Sequence, residues 1–483
     1  MNDIKEKIAD YINQHKSSLL YNIDHRSIEQ SVMGLINGNK AAGNILNIDD
    51  TTIKERVYKE IGQQETKQAL QIKEEGVVVY SQNSFVVSPR PAVYHDNGTT
   101  QPPQQQEKLQ INSFDMQILS KYNLIFRQCE FNVGLSMDYG LKCRQVAFYD
   151  CAFNDKWLIK NLSVDDTFSM ENCTFNKDVD FSNGKFLNNV YFNNSHFKGY
   201  ADFHECEFEK TACFYGATFD ETPNFSQAIF KENLNMVNTN LNFNFDDLNV
   251  KIEQEYEYFN KNKREENKKS LDKFANDFRD SFRLIKSALI KDNNLLDASN
   301  FHKYELYCKE IELESKKSNI FSKDWIDKWI LKFYRHTSDH HTDLMRIIHW
   351  VIILIGYFSL TLFLGKYNCH LEIFFNNHSN NMPINLTNDF INTMVESKLI
   401  YLISFIAYIG ICLKPIRLLI GYIGTFLIIT INPKYIFGIA SIFSNKYHFT
   451  YTENIIITIY SILMFLLLFS LQKTARKNSI VPH

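Results

Sequence analysis

The chain has 483 residues, and its 52 Lys and Arg against 55 Asp and Glu give a formal net charge of −3. This near balance excludes the strongly basic character of a general nucleic-acid-binding protein. The length allows several domains, and hydrophobic residues make up 45% of the chain. Nine cysteines without any CxxC spacing indicate neither a disulfide framework nor a zinc site.

Residues 1–94 are predicted to form a small helical or α+β domain. Apolar residues near the N-terminus recur with helical spacing, and two short apolar runs, residues 77–80 and 85–87, predict strands around a turn. Such a domain is typical of an interaction or oligomerisation module, and a DNA-binding winged helix is the alternative. Residues 95–110 contain Asn-Gly, Pro-Pro and several glutamines, which predict a flexible linker.

An 11-residue repeat dominates residues 111–245, where two apolar columns alternate at steps of five and six residues. A mean period of 5.5 fits neither a helix nor a flat strand, and it predicts a coiled backbone that turns the same columns inward on every coil. Lys142 is the one charged residue in the columns, and we expect it to mark a distorted coil or to turn its ammonium outward. The phenylalanines assigned to the core are Phe126, Phe131, Phe148, Phe153, Phe175, Phe181, Phe186, Phe192, Phe197, Phe203, Phe208, Phe214, Phe219, Phe225 and Phe230.

Small side chains precede the second column by two residues, and residues 201–208 and 212–219 show this pattern clearly. These runs resemble the pentapeptide-repeat proteins. The resemblance implies a right-handed quadrilateral β-helix with four segments to a coil, so that two 11-residue units form one coil. It also implies that Cys129, Cys151 and Cys173 stack in one ladder. The repeat is long enough for between five and six such coils.

Residues 246–335 are predicted to form a cytoplasmic helical hairpin. Apolar residues recur at steps of three and four from Leu271 to Leu289, and a second apolar stripe runs from Ala298 to Ile311. The pair resembles the tetratricopeptide-like hairpin that follows the β-helix in many bacterial membrane-anchored pentapeptide-repeat proteins. We expect it to cap the open end of the solenoid, and peptide binding is the alternative.

Residues 336–483 are predicted to form an all-α transmembrane domain of about four spans. Basic residues precede the first span, occupy the turn between the second and third, and follow the last, which places these ends in the cytoplasm. The polar N-terminus lacks a cleavable signal pattern, so we expect both termini in the cytoplasm and a multi-pass protein of the bacterial inner membrane. The apolar stretches place the spans near residues 347–364, 398–413, 416–431 and 455–471.

The sequence contains no phosphate-binding glycine loop, no nucleophile elbow and no HExxH motif, so we expect neither enzymatic activity nor a bound cofactor or metal. The candidate functional residues are instead three histidines near the membrane boundary, His340, His341 and His349. The first two belong to a His and Asp cluster that fits either a polar interfacial stretch or a metal- or pH-sensing site. The third lies inside the first predicted span, where ionisable side chains are functional candidates.

Two classes of function fit these features. In the first, the protein is a membrane-anchored cytoplasmic scaffold or sensor, and the rigid β-helix or the N-terminal domain binds a protein partner. In the second, the spans form a homo-oligomeric pore and the protein is a channel-like or membrane-disrupting effector, although no potassium-filter sequence is present. DNA mimicry, as in the quinolone-resistance pentapeptide proteins, is a further alternative. Lysines dilute the acidic surface that it requires, so nucleic acid is not an expected partner.

Overall fold

The computed structural model describes residues 2–15, 23–41, 50–73, 75–90, 107–261, 263–264, 267–316, 318–367, 414–431 and 451–478. The chain divides into two compact units, Met1–Lys317 and Ser318–His483. Most of the predicted linker and all of the predicted span 398–413 lie outside the described residues.

Three helices and a hairpin begin the first unit: α1 (Asn2–His15), α2 (His25–Ala41), α3 (Asp50–Ala69), β1 (Gly76–Ser81) and β2 (Ser84–Pro89). The helices bury a small core of isoleucine and valine side chains. The hairpin turns at Gln82 and Asn83, both of which have positive φ angles. Strand β2 also pairs in parallel with the first long strand of the solenoid, so the hairpin extends one solenoid sheet. The domain boundary at residue 94 stays a prediction.

A short strand, β3 (Leu109–Ile111), and a one-turn helix, α4 (Ile118–Lys121), precede a solenoid of about six coils. Neighbouring coils pair in parallel with a spacing of 22 residues, as Phe168 pairs with Val146. The solenoid strands are β4 (Leu124–Arg127), β5 (Cys129–Phe131), β6 (Leu135–Met137), β7 (Lys142–Cys143), β8 (Val146–Tyr149), β9 (Ala152–Phe153), β10 (Trp157–Ile159), β11 (Ser163–Val164), β12 (Phe168–Glu171), β13 (Thr174–Phe175), β14 (Val179–Asp180), β15 (Lys185–Phe186), β16 (Val190–Tyr191), β17 (His196–Phe197), β18 (Ala201–Asp202), β19 (Glu207–Phe208), β20 (Ala212–Cys213), β21 (Thr218–Phe219), β22 (Ile229–Phe230), β23 (Leu234–Asn235) and β24 (Asn240–Leu241).

The strands form four sheets, which we call faces A to D. Face A contains β4, β8, β12, β16, β20 and β23, and the β1–β2 hairpin extends it. Face B contains β3, β5, β9, β13, β17, β21 and β24. Face C contains β6, β10, β14 and β18, and face D contains β7, β11, β15, β19 and β22. Four faces with a 22-residue coil agree with the predicted solenoid.

Stacked aromatic rings fill the interior. Phe203 lies between Phe181 and Phe225 of the neighbouring coils, with ring centroids 5.6 Å and 5.0 Å away. All phenylalanines assigned to the core from the sequence are buried except Phe230, which packs against the core while partly exposed. Burial of a ring of this size contributes ~1.5–3 kcal/mol, so the two columns are the main source of stability in the solenoid.

One segment departs from the repeat at the exposed Lys142. Its ammonium turns outward and lies 3.0 Å from the Asp165 carboxylate of the next coil. Cys143 takes the inward place and pairs with Val164. The segment therefore holds one extra residue, and the outward ammonium is one of the two outcomes that the sequence predicted.

Each coil turns a corner between one face and the next, and at two of the four corners of a regular coil the backbone is left-handed. Residues at these corners have positive φ values, and they lie between faces A and B or between faces C and D, at 11-residue intervals. Asn and Gly adopt this conformation at lower cost than other residues, which explains their frequency here. The corner residues are Gln128, Asp150, Asn161, Asn172, Asn183, Asn194, Glu205, Gly216, Gln227 and Asn238.

Three helices follow the last coil: α5 (Phe245–Asn260), α6 (Leu271–Lys291) and α7 (Leu295–Ser315). Asn244 begins α5 with a capping box, in which its side chain accepts from the Asp247 N–H. The α6–α7 hairpin satisfies polar backbone groups of the last coil, because Ser281 Oγ accepts from the Phe225 N–H at 2.9 Å and the Tyr304 hydroxyl lies 3.3 Å from the Leu241 carbonyl. Apolar residues of all three helices join the solenoid core. The hairpin thus caps the solenoid, as expected.

An ion pair across the α6–α7 hairpin makes its stability pH-dependent. Glu305 lies 2.5 Å from Lys286 Nζ and 3.0 Å from His302 Nδ1. Burial alone would raise the pKa of Glu305, but the hydrogen bonds from His302 and Lys286 lower it to about 2 from 4.5. A depressed folded-state pKa stabilises the fold above the unfolded-state value and loses this contribution as the pH falls.

We therefore expect the urea midpoint of the first unit to fall between pH 4.5 and about 2, in part because Glu305 becomes protonated. The Glu305→Gln variant should unfold earlier than the wild type at pH 6 and at the same midpoint near pH 2. Urea titrations at both pH values measure this difference. An equal midpoint at pH 6 would show that the ion pair contributes nothing.

The second unit contains α8 (Lys323–Ser338), α9 (Leu344–Tyr367), α10 (Lys414–Ile431) and α11 (Tyr451–Asn478) among its described residues. In that part of the chain, one helix, Asn454–Arg476 within α11, is long and apolar enough to cross a membrane. Leu344–Ser359 and Pro415–Phe426 are shorter apolar helices. The structure thus provides one clear span candidate where the sequence predicted about four.

Candidate interaction surfaces

A ladder of asparagines crosses face B. The Asn154 amide donates to Asn132 Oδ1 at 2.7 Å, and the Asn176 amide donates to Asn154 Oδ1 at 2.7 Å. Glu130 lies beside the ladder, and hydrogen bonds from Gln110 and Asn154 lower the pKa of its carboxyl. The polar groups of this face therefore bind mainly to one another, coil to coil.

Face D carries paired charges of opposite sign. Each lysine lies near an acid of the neighbouring coil, as Lys185 lies 3.5 Å from Glu207 and Lys231 lies 2.5 Å from Glu209. Lys142 and Asp165 continue the pattern. Exposed pairs of this kind contribute little stability, but they leave the face without a strong net potential.

Helix α5 covers part of face C. Leu248 and Ile252 of α5 are fully buried, and Lys251 Nζ lies 3.5 Å from the centre of the buried Tyr200 ring. Burial raises the pKa of the Glu255 carboxyl, which lies 3.3 Å from Lys251 Nζ. A large partner surface therefore has limited access to the last coils of this face.

Face A presents aromatic and basic side chains. The Arg127 guanidinium lies 5.0 Å from the centre of the Tyr149 ring, which is a cation–π contact between adjacent coils. Further along the face, Tyr191 is half-buried and Tyr215 is 42% exposed. Tyrosine and arginine are the residues most enriched among energetic hot spots of protein interfaces. The sequence analysis missed this group, although Arg127, Tyr149 and Tyr215 each follow a residue of the first inward column by one position and Tyr191 precedes one.

Four solenoid cysteines, Cys129, Cys151, Cys173 and Cys206, face the interior. Cys151 Sγ contacts the Phe126 carbonyl at 3.7 Å and Cys173 Sγ contacts the Phe148 carbonyl at 3.5 Å, so the thiols follow one ladder from coil to coil. Burial raises the pKa of the Cys173 and Cys206 thiols. Both thiols are therefore poor nucleophiles, and their role is packing.

A protein-family model described as pentapeptide repeats (9 copies) matches residues 163–207, in the middle of these faces. The solenoid is a pentapeptide-repeat β-helix. Coils on both sides of the matched residues keep the same pairing interval. No curated protein and no solved structure matches the chain.

Beyond the pentapeptide repeats, glycines bring α9 and α10 into backbone contact. A Cβ atom at Gly356 would lie 2.1 Å from the Gly421 carbonyl oxygen, and one at Gly424 would lie 2.6 Å from the Gly356 carbonyl oxygen. The Thr425 hydroxyl donates to the Ile352 carbonyl of α9 at 2.7 Å. Close approach at small residues, with hydroxyl bonds between helices, is typical of helix pairs in membranes.

The contacts also set the direction of the helices. Gly421 approaches Ile353 and Gly424 approaches Gly356, so α10 runs parallel to α9. In contrast, the Phe358 ring of α9 stacks on Tyr460 while His341, before α9, reaches Ser470, so α11 runs antiparallel to α9. The arrangement brings together the basic ends of all three helices, which carry Arg346, Arg417, Lys473 and Arg476.

The three predicted histidines do not converge on one site. His340 is buried, whereas the His341 ring lies 2.7 Å from Ser470 Oγ and contacts the Tyr334 ring. His349 Nδ1 lies 2.6 Å from the Met345 carbonyl of its own helix. Within the described part of the chain, no group of three or more His, Cys, Asp or Glu is arranged to hold a metal ion.

The glycine contact leads to a prediction for α9. Gly356→Ala should destabilise the second unit by ~1–3 kcal/mol, because even a methyl group forces the two backbones apart. Gly34→Ala, in α2 of the first unit, is the control for the added methyl group itself, since a Cβ there meets nothing within 4 Å. That control should be neutral or should stabilise its helix by ~0.5–1 kcal/mol. Thermal unfolding in detergent compares the two variants, and an unaltered Gly356→Ala transition would contradict the contact.

Proposed function

We propose that the protein is a membrane-anchored scaffold, whose pentapeptide-repeat β-helix presents face A to a protein partner. The observation that carries the proposal is the group of Arg127, Tyr149, Tyr191 and Tyr215 on a preformed sheet. A rigid surface loses little conformational entropy on binding, so a modest number of contacts is sufficient. A sensor role, in which partner binding is coupled to the membrane helices, is part of the same proposal.

The other faces favour this choice. The amides of face B bind to one another, the charges of face D are compensated in pairs, and α5 covers part of face C. Docking on face B or D would exchange satisfied polar contacts for new ones, with little net gain. Face A also has contacts between coils, from the Asn238 amide to the Tyr215 hydroxyl and from the Asn193 amide to Glu171, but its tyrosine rings offer apolar area in addition, which favours protein recognition.

Anchoring is supported by the second unit. Its described helices expose many large apolar side chains, including Leu419, Phe426, Ile459 and Phe465. Contiguous apolar surface on this scale is unusual in water and is expected against lipid. We propose that α9, α10 and α11 are spans, that the basic end of the three helices faces the cytoplasm, and that both termini lie there, at a bacterial inner membrane. An additional span at 398–413 completes the proposed four.

A pore formed by oligomerised spans is the second candidate. The parallel α9–α10 pair, with its close glycine contact, is the observation that favours it, because copies of such pairs assemble readily in membranes. The described spans carry few polar side chains, which favours anchoring over conduction. DNA mimicry is disfavoured by the paired lysines of face D. We propose that the protein is not an enzyme.

Site-specific photo-crosslinking tests the scaffold proposal. A photoreactive phenylalanine analogue replaces Tyr215 on face A or Leu187 on face D, which are 42% and 47% exposed. In native membranes, irradiation should give a discrete adduct with a second protein from position 215 and none from position 187. Adducts from both positions, or from 187 alone, would contradict the choice of face A. Ion leakage from vesicles that contain the purified protein would favour the pore.

A further inference from the structure

Helix α8, which precedes the first proposed span, has one apolar side. Successive residues of a helix are about 100° apart, so the five large apolar residues on this side fall within an arc of about 140°. They are Trp325, Ile326, Trp329, Ile330 and Phe333. Asp324 and Asp327 lie on the opposite side of the helix, together with Leu331.

The apolar side is contiguous and exposed. The Trp325 and Trp329 rings lie 6.1 Å apart, and Phe321, just before the helix, lies 5.4 Å from Trp325. Trp329 is 53% exposed and Phe321 is 79% exposed. A surface of this composition is costly in water, and tryptophan is the side chain most typical of the membrane–water interface.

Basic residues border the apolar side. With the same spacing of about 100° per residue, Lys332 lies beside Trp325 at one edge of the apolar side, and Lys328 and Arg335 lie beyond Lys332. Lys323 borders the other edge beside Ile330. The Lys332 ammonium lies 5.7 Å from the centre of the Trp329 ring, so charge and apolar surface are adjacent. Cations that flank an apolar arc, with acids opposite, fit a helix lying on an anionic bilayer.

The end of α8 is fixed against the proposed spans. The helix ends at Asp339, which has a positive φ, and the His340 N–H donates to the Tyr334 carbonyl. Trp350, in the first turns of α9, donates from Nε1 to the His336 carbonyl at 3.1 Å. These contacts hold α8 next to the basic end of α9, where headgroups would lie.

We propose that α8 is an interfacial helix that lies in the headgroup region of the bilayer and binds anionic lipid through Lys323, Lys328, Lys332 and Arg335. The inference rests on the proposed membrane anchoring. Buried to the depth of their rings, Trp325 and Trp329 fix the orientation of the chain as it leaves the membrane. Anionic headgroups attract a basic border of this kind at the surface of the bilayer.

Tryptophan quenching in vesicles tests the proposal. The full chain is reconstituted in phosphatidylcholine with phosphatidylglycerol that carries bromine on the acyl carbons nearest the headgroup. The chain has four tryptophans. Trp157 is buried in the solenoid, Trp350 lies in α9, and the other two lie on α8. The double variant Trp325→Phe and Trp329→Phe should lose at least half of the quenching, whereas Trp350→Phe should keep most of it.

The lipid charge is tested with a variant of the basic border. The triple variant Lys328→Gln, Lys332→Gln and Arg335→Gln should show at least twofold weaker quenching of the α8 tryptophans. In vesicles of phosphatidylcholine alone, which carry bromine at the same acyl carbons so that quenching can still occur, wild type and triple variant should be alike. Equal quenching of the two proteins in the anionic vesicles would overturn the binding of anionic lipid.

The quenching of Trp350 and the quenching of the α8 tryptophans, measured separately, distinguish failure of this inference from failure of the proposed anchoring. If Trp350 is quenched while the α8 tryptophans are quenched by aqueous acrylamide instead, the anchoring holds and the interfacial helix is wrong. If the α8 tryptophans are protected from both quenchers, a protein surface or a second copy covers them, and the inference is again wrong. If Trp350 is not quenched and the protein fails to float with the vesicles, the anchoring itself is wrong.

Discussion

Replacing Phe203 with alanine should lower the free energy of unfolding of the first unit by ~3–5 kcal/mol. Phe203 is fully buried, and its ring stacks between Phe181 and Phe225 while it contacts Phe192 and Phe214 edge-on. A cavity at this point interrupts the stack of Phe181, Phe203 and Phe225, and the parallel strands prevent the coil from collapsing inward. The cost therefore lies near the upper end for a deleted ring.

Tyr215→Ala is the control for this substitution. It also removes an aromatic ring from the solenoid, but the ring is 42% exposed on face A. We expect a change within about 0.5–1 kcal/mol, because little buried area is lost. Urea titration followed by far-ultraviolet circular dichroism measures both variants. Equal losses for the two variants would mean that the inward and outward positions of the repeat have been exchanged.

The repeat made the solenoid predictable. An inward side chain at every fifth or sixth residue is a property of spacing alone, and the close-packed interior of a narrow coil accepts only apolar side chains there. Phe181 to Phe225 are accordingly buried without exception. Phe230 departs from the pattern because few coils remain beyond it, so its ring is packed from one side while the other is partly exposed.

In the sequence, the change of register at Lys142 was visible only as one charged residue in an apolar column. A lysine in an apolar column indicates local distortion, but the sequence does not show which neighbour moves inward. The structure places Cys143 there, since a thiol tolerates burial far better than an ammonium. Tyr139 lies at the corresponding corner without a positive φ, in contrast to the regular corners, so the extra residue is absorbed near that corner.

The sequence also contains a signal for the left-handed corners, although the prediction of the solenoid did not rest on it. Asn161, Asn172, Asn183 and Asn194 recur at the repeat interval, and Gly216 occupies the next place but one. Asparagine and glycine at one fixed position predict positive φ, because other residues adopt it at a steric cost. The outward contacts of faces A to D could not be predicted in the same way, since they depend on which coil lies beside which.

In the second unit, the sequence predicted the positions of the helices but not how they pack against one another. Apolar composition predicted helices near 347–364, 416–431 and 455–471, and α9, α10 and α11 cover these ranges. Composition did not predict that Gly356 meets Gly421, because helix packing depends on the angle at which two helices cross. The amphipathic side of α8 was likewise visible in the sequence, but most of its residues were assigned to the cytoplasmic helical hairpin, and its basic residues were used only to orient the spans.

Lys121→Met should destabilise the first unit by ~3–5 kcal/mol, because it leaves the Glu65 carboxylate buried without its counter-ion. Glu65 in α3 is 1% exposed, and it forms an ion pair with Lys121 and accepts a hydrogen bond from the Tyr122 hydroxyl at 2.7 Å. Burial, together with the Glu65 charge, raises the pKa of Tyr122, so the phenol stays protonated and donates to the carboxylate. The cluster joins the N-terminal helices to the start of the solenoid.

A double variant separates the charge from the shape of this cluster. Glu65→Gln combined with Lys121→Met removes both charges and keeps an oxygen that can accept from Tyr122, so most of the lost stability should return. Urea titration of the two single variants and the double variant gives the coupling energy, which we expect to be ~2–3 kcal/mol. If the two single losses simply add, the ion pair does not connect the helices to the solenoid. Strong coupling would instead show that the ion pair stabilises the contact between the N-terminal helices and the start of the solenoid, because the carboxylate and the ammonium come from α3 and α4 and meet only when these elements pack together.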